Sequence, residues 1–196
     1  MGSPETRQSL LVRIRDISDQ VAWQEFVEIY APLIHAYSLR RGLQDADAAD
    51  VSQQVLQSIA RAIPGFVYDS AKGSFRGWLF QITRNHLLKN LEKKRRSPKA
   101  TGDTSFQDVL HQQQDETDDE RIWDLEHQRQ LFHWAAERVR GDFKDSTWNA
   151  FWAFAVEGKP AADVAKMLGV TLGAVYIAKS RVTARLRQLI ESIEAM

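Results

Sequence analysis

Cysteine is absent from the 196 residues, which excludes disulfides, thiolate metal sites and cysteine nucleophiles. A chain without cysteine suits a reducing, cytoplasmic compartment. Net charge is missing too. The 26 Lys and Arg are balanced by 26 Asp and Glu, so any binding of a polyanion must come from local segregation of charge. No apolar run approaches the roughly 20 residues of a membrane span, and the opening MGSPETRQ lacks the apolar core of a signal peptide. Membrane insertion is therefore not expected. There is no Gly-rich phosphate loop, no HExxH and no nucleophile elbow, so we expect neither an enzyme nor a cofactor. His35, His86, His111, His127 and His133 show no metal spacing. Asp45, Asp47 and Asp50 lack a partnering histidine and read as helix-start acids, so no metal site is expected.

What is present points to an all-α chain. Hydrophobic residues reach 43%, with six Trp and nine Phe, enough for packed cores. Leu10, Leu11, Ile14 and Ile17 have helical spacing. Asp19 reads as the N-cap of a longer helix burying Trp23, Phe26, Val27, Tyr30, Leu33, Ile34 and Tyr37, closed by Arg40, Arg41 and Gly42. Asp45 opens a third helix, with Val51, Val55, Leu56, Ile59, Ala60 and Ile63 apolar, ended by Pro64 and Gly65. The turn-forming loop FVYDSAKGS follows, then a helix from about Phe75 to Arg95 with Trp78, Leu79, Ile82, Leu87, Leu88 and Leu91 inside. From Ser97 to Glu120 the composition turns polar and acidic. This predicts two small helical domains, 1–96 and 122–196, joined by a flexible acidic linker over 97–121. Helical periodicity resumes over Ile122–Val139 and over Thr147–Val156, where Trp148, Phe151, Trp152 and Phe154 cluster.

The last stretch is the most specific. In KPAADVAKMLGVTLGAVYIAKSRVTARLR, Lys159 to Arg187, Pro160 suits a first helical position. Ala162, Val164, Ala165 and Leu168 form an apolar face. Gly169 falls where the chain must turn, and Thr171 reads as the next N-cap. Val175, Ala178, Val182 and Leu186 make the buried stripe of the second helix. This is a helix-turn-helix pattern, whose second helix fits a DNA major groove. Charge segregates around it, with six basic residues and one acid, Asp163, between Lys159 and Arg187. A second basic run, Arg84 to Lys99, holds Arg84, Lys89, Lys93, Lys94, Arg95, Arg96 and Lys99 against Glu92. Two basic surfaces, one per domain, can each neutralise several phosphates.

Together these stretches resemble the extracytoplasmic-function (ECF) sigma factors of bacteria, over about Leu10 to Ile190. DADAADVSQQVLQSIARAI, Asp45 to Ile63, is similar to the family segment that docks on core RNA polymerase. GSFRGWLFQITRNHLLKNLEKKRR, Gly73 to Arg96, is similar to the segment that melts and reads the −10 promoter element. The helix-turn-helix is similar to the module that reads the −35 element. The resemblance implies core RNA polymerase and promoter DNA as partners, and an anti-sigma factor as a further one.

It also implies roles for residues. Asp45, Asp47, Asp50, Gln53 and Gln54 lie largely on one polar side of their helix and become the polymerase-docking face, suited to a basic partner. Lys72, Phe75, Arg76, Trp78, Arg84, Asn85 and Lys89 become the −10 surface, aromatics for unstacked bases and polar groups for phosphates and base edges. Thr171, Leu172, Tyr176, Lys179, Ser180 and Arg181 become the −35 surface. Here the chain departs from the family, which usually carries polar or basic residues where this one has Leu172, Ala174, Tyr176 and Ala178. The acids Asp115 to Glu120 are placed to compete with DNA for the basic faces. Two other readings stay open at this level. One is a one-component helix-turn-helix regulator acting as a dimer on duplex DNA, and the other is an adaptor with no DNA role.

Overall fold

The computed structural model describes residues 10–66, 74–96 and 116–194, all of them helices and the turns between them. The chain divides into an N-terminal unit reaching Gln130 and a C-terminal unit from Leu131.

In the N-terminal unit, short α1 (Leu10–Arg13) leads into α2 (Gln20–Arg40) through one acid. Asp19 accepts from the Ala22 N–H at 2.9 Å, capping α2, and takes both arms of the Arg13 guanidinium at 2.9 Å. Arg13 thereby holds the Asp19 carboxyl below its ordinary range. Helix α2 ends at Arg41 and turns at Gly42, whose φ of 87° only glycine adopts without strain. Helix α3 (Asp45–Ala62) follows and tightens into one 3₁₀ turn, Ile63–Gly65. Its acids Asp45 and Asp47 sit at the positive end of the helix dipole. Ser74 then caps α4 (Phe75–Arg96) through the Gly77 N–H at 3.1 Å. Phe26, Leu33 and Ile34 from α2, Val51, Val55 and Ile59 from α3, and Leu79, Leu87 and Leu91 from α4 form the core. Val27 stays partly exposed, so that part of the predicted α2 stripe is corrected.

Helix α5 runs from Glu116 to Val139. Its start lies inside the segment read as linker and ahead of the 122 boundary. The acids there do not all face water, because Asp119 is buried against Arg41 and Arg84. Residues 97–115 lie outside the described residues. Residues 119–127 of α5 pack with α2 and α4 in the N-terminal unit.

The C-terminal unit holds the remainder of α5, then α6 (Asp145–Phe151), which widens into a π turn over Trp152–Val156, then α7 (Ala161–Leu168) and α8 (Leu172–Glu194). Gly169 has φ +64°, the left-handed closure that its position predicts. Val175, Ala178, Val182 and Leu186 are all buried, as their spacing requires. On α7 the buried alanine is Ala161, while Ala162 faces solvent. Pro160 serves as the N-cap residue rather than the first helical one.

Candidate nucleic-acid and partner interfaces

Helix α3 presents Asp45, Asp50, Gln53 and Gln54 to solvent, while Val51, Val55 and Ile59 face inward. Asp45 accepts from His35 at 3.2 Å. Asp47 differs from the others, being ion-paired to Lys94 of α4 and only partly exposed. That pair fastens the acidic face of α3 to the basic end of α4, and it lies in a cleft of mixed charge with Asp50, Gln54, Lys89 and Lys93. Ser58 and His86 join the same helices lower down, at 2.9 Å. Burial holds the His86 imidazole below its ordinary value.

Helix α4 divides its predicted −10 residues among three environments. Gln81, Asn85 and Lys89 are exposed along one edge. Phe75 is not available to a base, being 3% exposed and packed edge-on against Phe26, Tyr30 and Phe66 at centroid distances of 6.1, 5.9 and 6.0 Å. Its assignment is corrected to the core. Trp78 is half-buried over Phe66 at 4.6 Å and Phe75 at 5.5 Å. Arg76 and Arg84 point to a third place, the groove that α5 fills. Lys72 lies outside the described residues.

The contacts of α5 run antiparallel to both helices it covers. On α4, Arg76 meets Asp124 at 3.3 Å, Phe80 meets Trp123 at 5.7 Å, and Arg84 meets Asp119 at 3.4 Å. On α2, Tyr30 stacks with His127 at 6.1 Å, Tyr37 meets Trp123 edge-on at 5.4 Å, and Arg41 meets Asp119 at 2.8 Å. Arg40 adds Glu126 at 2.5 Å. Asp119 and Glu126 are buried carboxylates, tolerated because each lies against guanidinium groups. Sequence reading missed this face. The signal was the spacing of Asp119, Trp123 and His127 at i, i+4 and i+8, matched by Arg76, Phe80 and Arg84.

His127 supplies a pH dependence. Burial first, and the Arg76 charge second, bring its pKa down to about 4, whereas an unfolded histidine titrates near 6.5. Between those values the unfolded chain binds a proton that the folded chain refuses. Stability is therefore complete above pH about 6.5 and falls as pH drops toward about 4, by about 3 kcal/mol in all. Urea unfolding at pH about 7 and about 4.5 should show that loss, and His127→Gln should flatten it.

In the C-terminal unit, Thr171 caps α8 by accepting from the Ala174 N–H at 3.2 Å. Leu172, Tyr176, Ile177, Lys179, Ser180 and Arg181 are exposed on the first turns of α8, and Ala178 is buried. Phe154, from the π turn, positions two of them. Its ring meets Tyr176 edge-on at 5.4 Å and carries the Lys179 ammonium at 5.3 Å. Ile177 was not among the predicted residues, yet it is the most exposed apolar side chain of the three on this face. Arg185 is drawn to Asp142 at 2.7 Å.

Among the described residues no group of His, Asp and Glu is arranged to hold a metal ion, and no single helix is long and apolar enough to cross a membrane.

Residues 26–97 match the family model of sigma-70 region 2, a span that covers most of α2 and all of α3 and α4. The chain is also similar to a curated relative described as ECF RNA polymerase sigma factor RpoE, from Cereibacter sphaeroides, at 26% identity over 87 residues, 44% of this chain and 47% of that protein. The matched part thus spans about half the length of that relative. The first finding gives the chain a likeness to sigma-70 region 2, and the extracytoplasmic-function class is what the relative's description states of that protein.

Proposed function

We propose, for a chain that carries a sigma-70 region 2 domain in α2–α4, that the whole protein binds core RNA polymerase, carries it to a promoter and helps open the DNA near −10. The observation that carries the reading is the pairing of that domain with a helix-turn-helix in one chain, the latter closed at Gly169 and exposing the start of α8. The two modules match the two promoter elements in order.

Asp45, Asp50, Gln53 and Gln54 form the polymerase-docking face, with Asp47 holding that face to α4 through Lys94. Asn85 and Lys89, with Arg76, Arg84, Trp78 and Lys72, serve the −10 element. Leu172, Tyr176, Lys179, Ser180 and Arg181 serve the −35 element, with Thr171 as the cap that sets the helix start. The protein performs no chemistry of its own and works in the cytoplasm, with polymerase. An anti-sigma factor is its expected regulator.

Transcription in vitro from a pool of promoter fragments, with core polymerase and with or without this protein, tests the reading. Protein-dependent transcripts sharing −35 and −10 elements are expected. If core polymerase ignores the protein while the protein alone shifts duplex DNA, a one-component regulator takes its place. Charge reversal on the docking face sharpens the test. Asp50→Lys with Gln54→Lys should weaken binding to core polymerase about tenfold, more at low salt.

A further inference from the structure

We propose that the groove between α2 and α4 is a docking surface with two exclusive occupants: residues 116–130 of α5 in the free chain, and a single strand of opened −10 DNA in the working one. The identity of the DNA rests on the sigma-factor reading; the occupancy by α5 does not.

The groove has the chemistry for both. Its rim is cationic, with Arg40, Arg41, Arg76 and Arg84 from two helices. Its floor is aromatic, with Tyr30, Tyr37 and Phe80. Guanidinium groups bind carboxylate and phosphate oxygens by the same forked geometry. Aromatic floors that receive a side-chain ring also receive a base. Helix α5 presents acids where a strand presents phosphates and rings where a strand presents bases. Asp119 and Asp124 lie on Arg84 and Arg76, while Trp123 and His127 lie on the rings.

Arg84 therefore cannot serve DNA while α5 stays, whereas Arg76, 42% exposed beside Asp124, is only engaged at the rim. The Arg84 side chain is only 19% exposed, and its carboxylate partner 4%. Outside the groove, Gln81, Asn85 and Lys89 stay exposed along α4 and give an arriving strand its first hold. Apparent affinity for DNA is then the intrinsic affinity reduced by the fraction of chains with the groove open. Any change that weakens α5 docking without touching the groove must raise DNA affinity.

The full-length chain carries the test, with a fluorescein-labelled single-stranded oligonucleotide of mixed sequence as probe and no polymerase present. Asp119→Asn with Asp124→Asn removes two charges from the docked face. Asp118→Asn with Glu120→Gln removes two from the exposed side of the same helix. The first pair should tighten binding about tenfold and the second by no more than about threefold, since its only effect is net charge. Asp124→Asn alone, at a half-exposed site that threatens no fold, should give part of the gain. In the wild type, DNA should shift Trp123 emission, isolated by difference from Trp123→Phe, toward that of an exposed indole. Equal gains from both pairs overturn the proposal, as does unmoved Trp123 emission on bound DNA. A chain that releases α5 to DNA but never supports transcription would keep this inference and lose the sigma-factor reading. The opposite result would do the reverse.

Discussion

Replacing Trp123 with alanine should remove about 3–5 kcal/mol from the stability of the N-terminal unit. The side chain is 1% exposed, and its indole lies between Tyr37 of α2 and Phe80 of α4. The indole is packed between rings of two helices, so truncation leaves a cavity rather than a trimmed surface. Trp123→Phe keeps most of the apolar area and should cost much less. Domains of this size hold only about 5–15 kcal/mol in all, so the alanine variant should show a clear drop in the midpoint of urea unfolding followed by far-ultraviolet circular dichroism. The contrast with a linker is sharp: were residues 116–130 solvated, the change would fall within about 0.5 kcal/mol. The same variant should bind single-stranded DNA more tightly than the wild type. Loss of stability and gain of binding in one protein is the signature of an occupant removed from a binding groove, since general damage to a fold lowers both.

Residues 116–130 also mark the limit of what the sequence makes legible. Helix caps and turns are local, and they were readable: Asp19 reaches Ala22, Thr171 reaches Ala174, and Gly42 and Gly169 take positive φ. Stripes repeating within one helix were readable too, as in Val175, Ala178, Val182 and Leu186. Asp119 and Glu126 were not. A carboxylate is read as solvated unless its partner is known, and theirs come from Arg40, Arg41 and Arg84, on helices distant in the chain. The acids Asp115 to Glu120 were expected to reach the basic faces, but which acid meets which base was not legible. In the fold, Arg84 of the basic run and Asp119 of the acidic segment neutralise each other. Phe75 illustrates the converse ambiguity. An aromatic at a helix start fits a stacking platform and a core equally well, and only the rings of Phe26, Tyr30 and Phe66 around it decide.

Alanine at Tyr176 and Ile177 together should leave the thermal midpoint within a degree or two of the wild type, yet weaken binding to a −35 duplex roughly thirtyfold. Both side chains are more than half exposed, at 52% and 59%, so the fold loses little. The binding loss follows from what the first turns of α8 offer. Across Leu172 to Ser180 the sole charged side chain is Lys179, which lies over the Phe154 ring. No arginine in those turns can fork onto guanine O6 and N7. Leu172, Tyr176 and Ile177 instead present apolar surface, and in a major groove the matching apolar group is the C5 methyl of thymine. Lys179 and Arg181 beside them suit the flanking phosphates, which set position rather than sequence. Replacing thymine with uracil in the −35 element deletes that methyl and changes nothing else on the base edge. Wild-type affinity should fall with that replacement, and the double-alanine variant should be nearly indifferent to it. If the wild type ignores the methyls, readout rests on DNA shape and phosphate contacts instead. The salt dependence of binding would then be unchanged between wild type and variant, since neither substitution removes a charge.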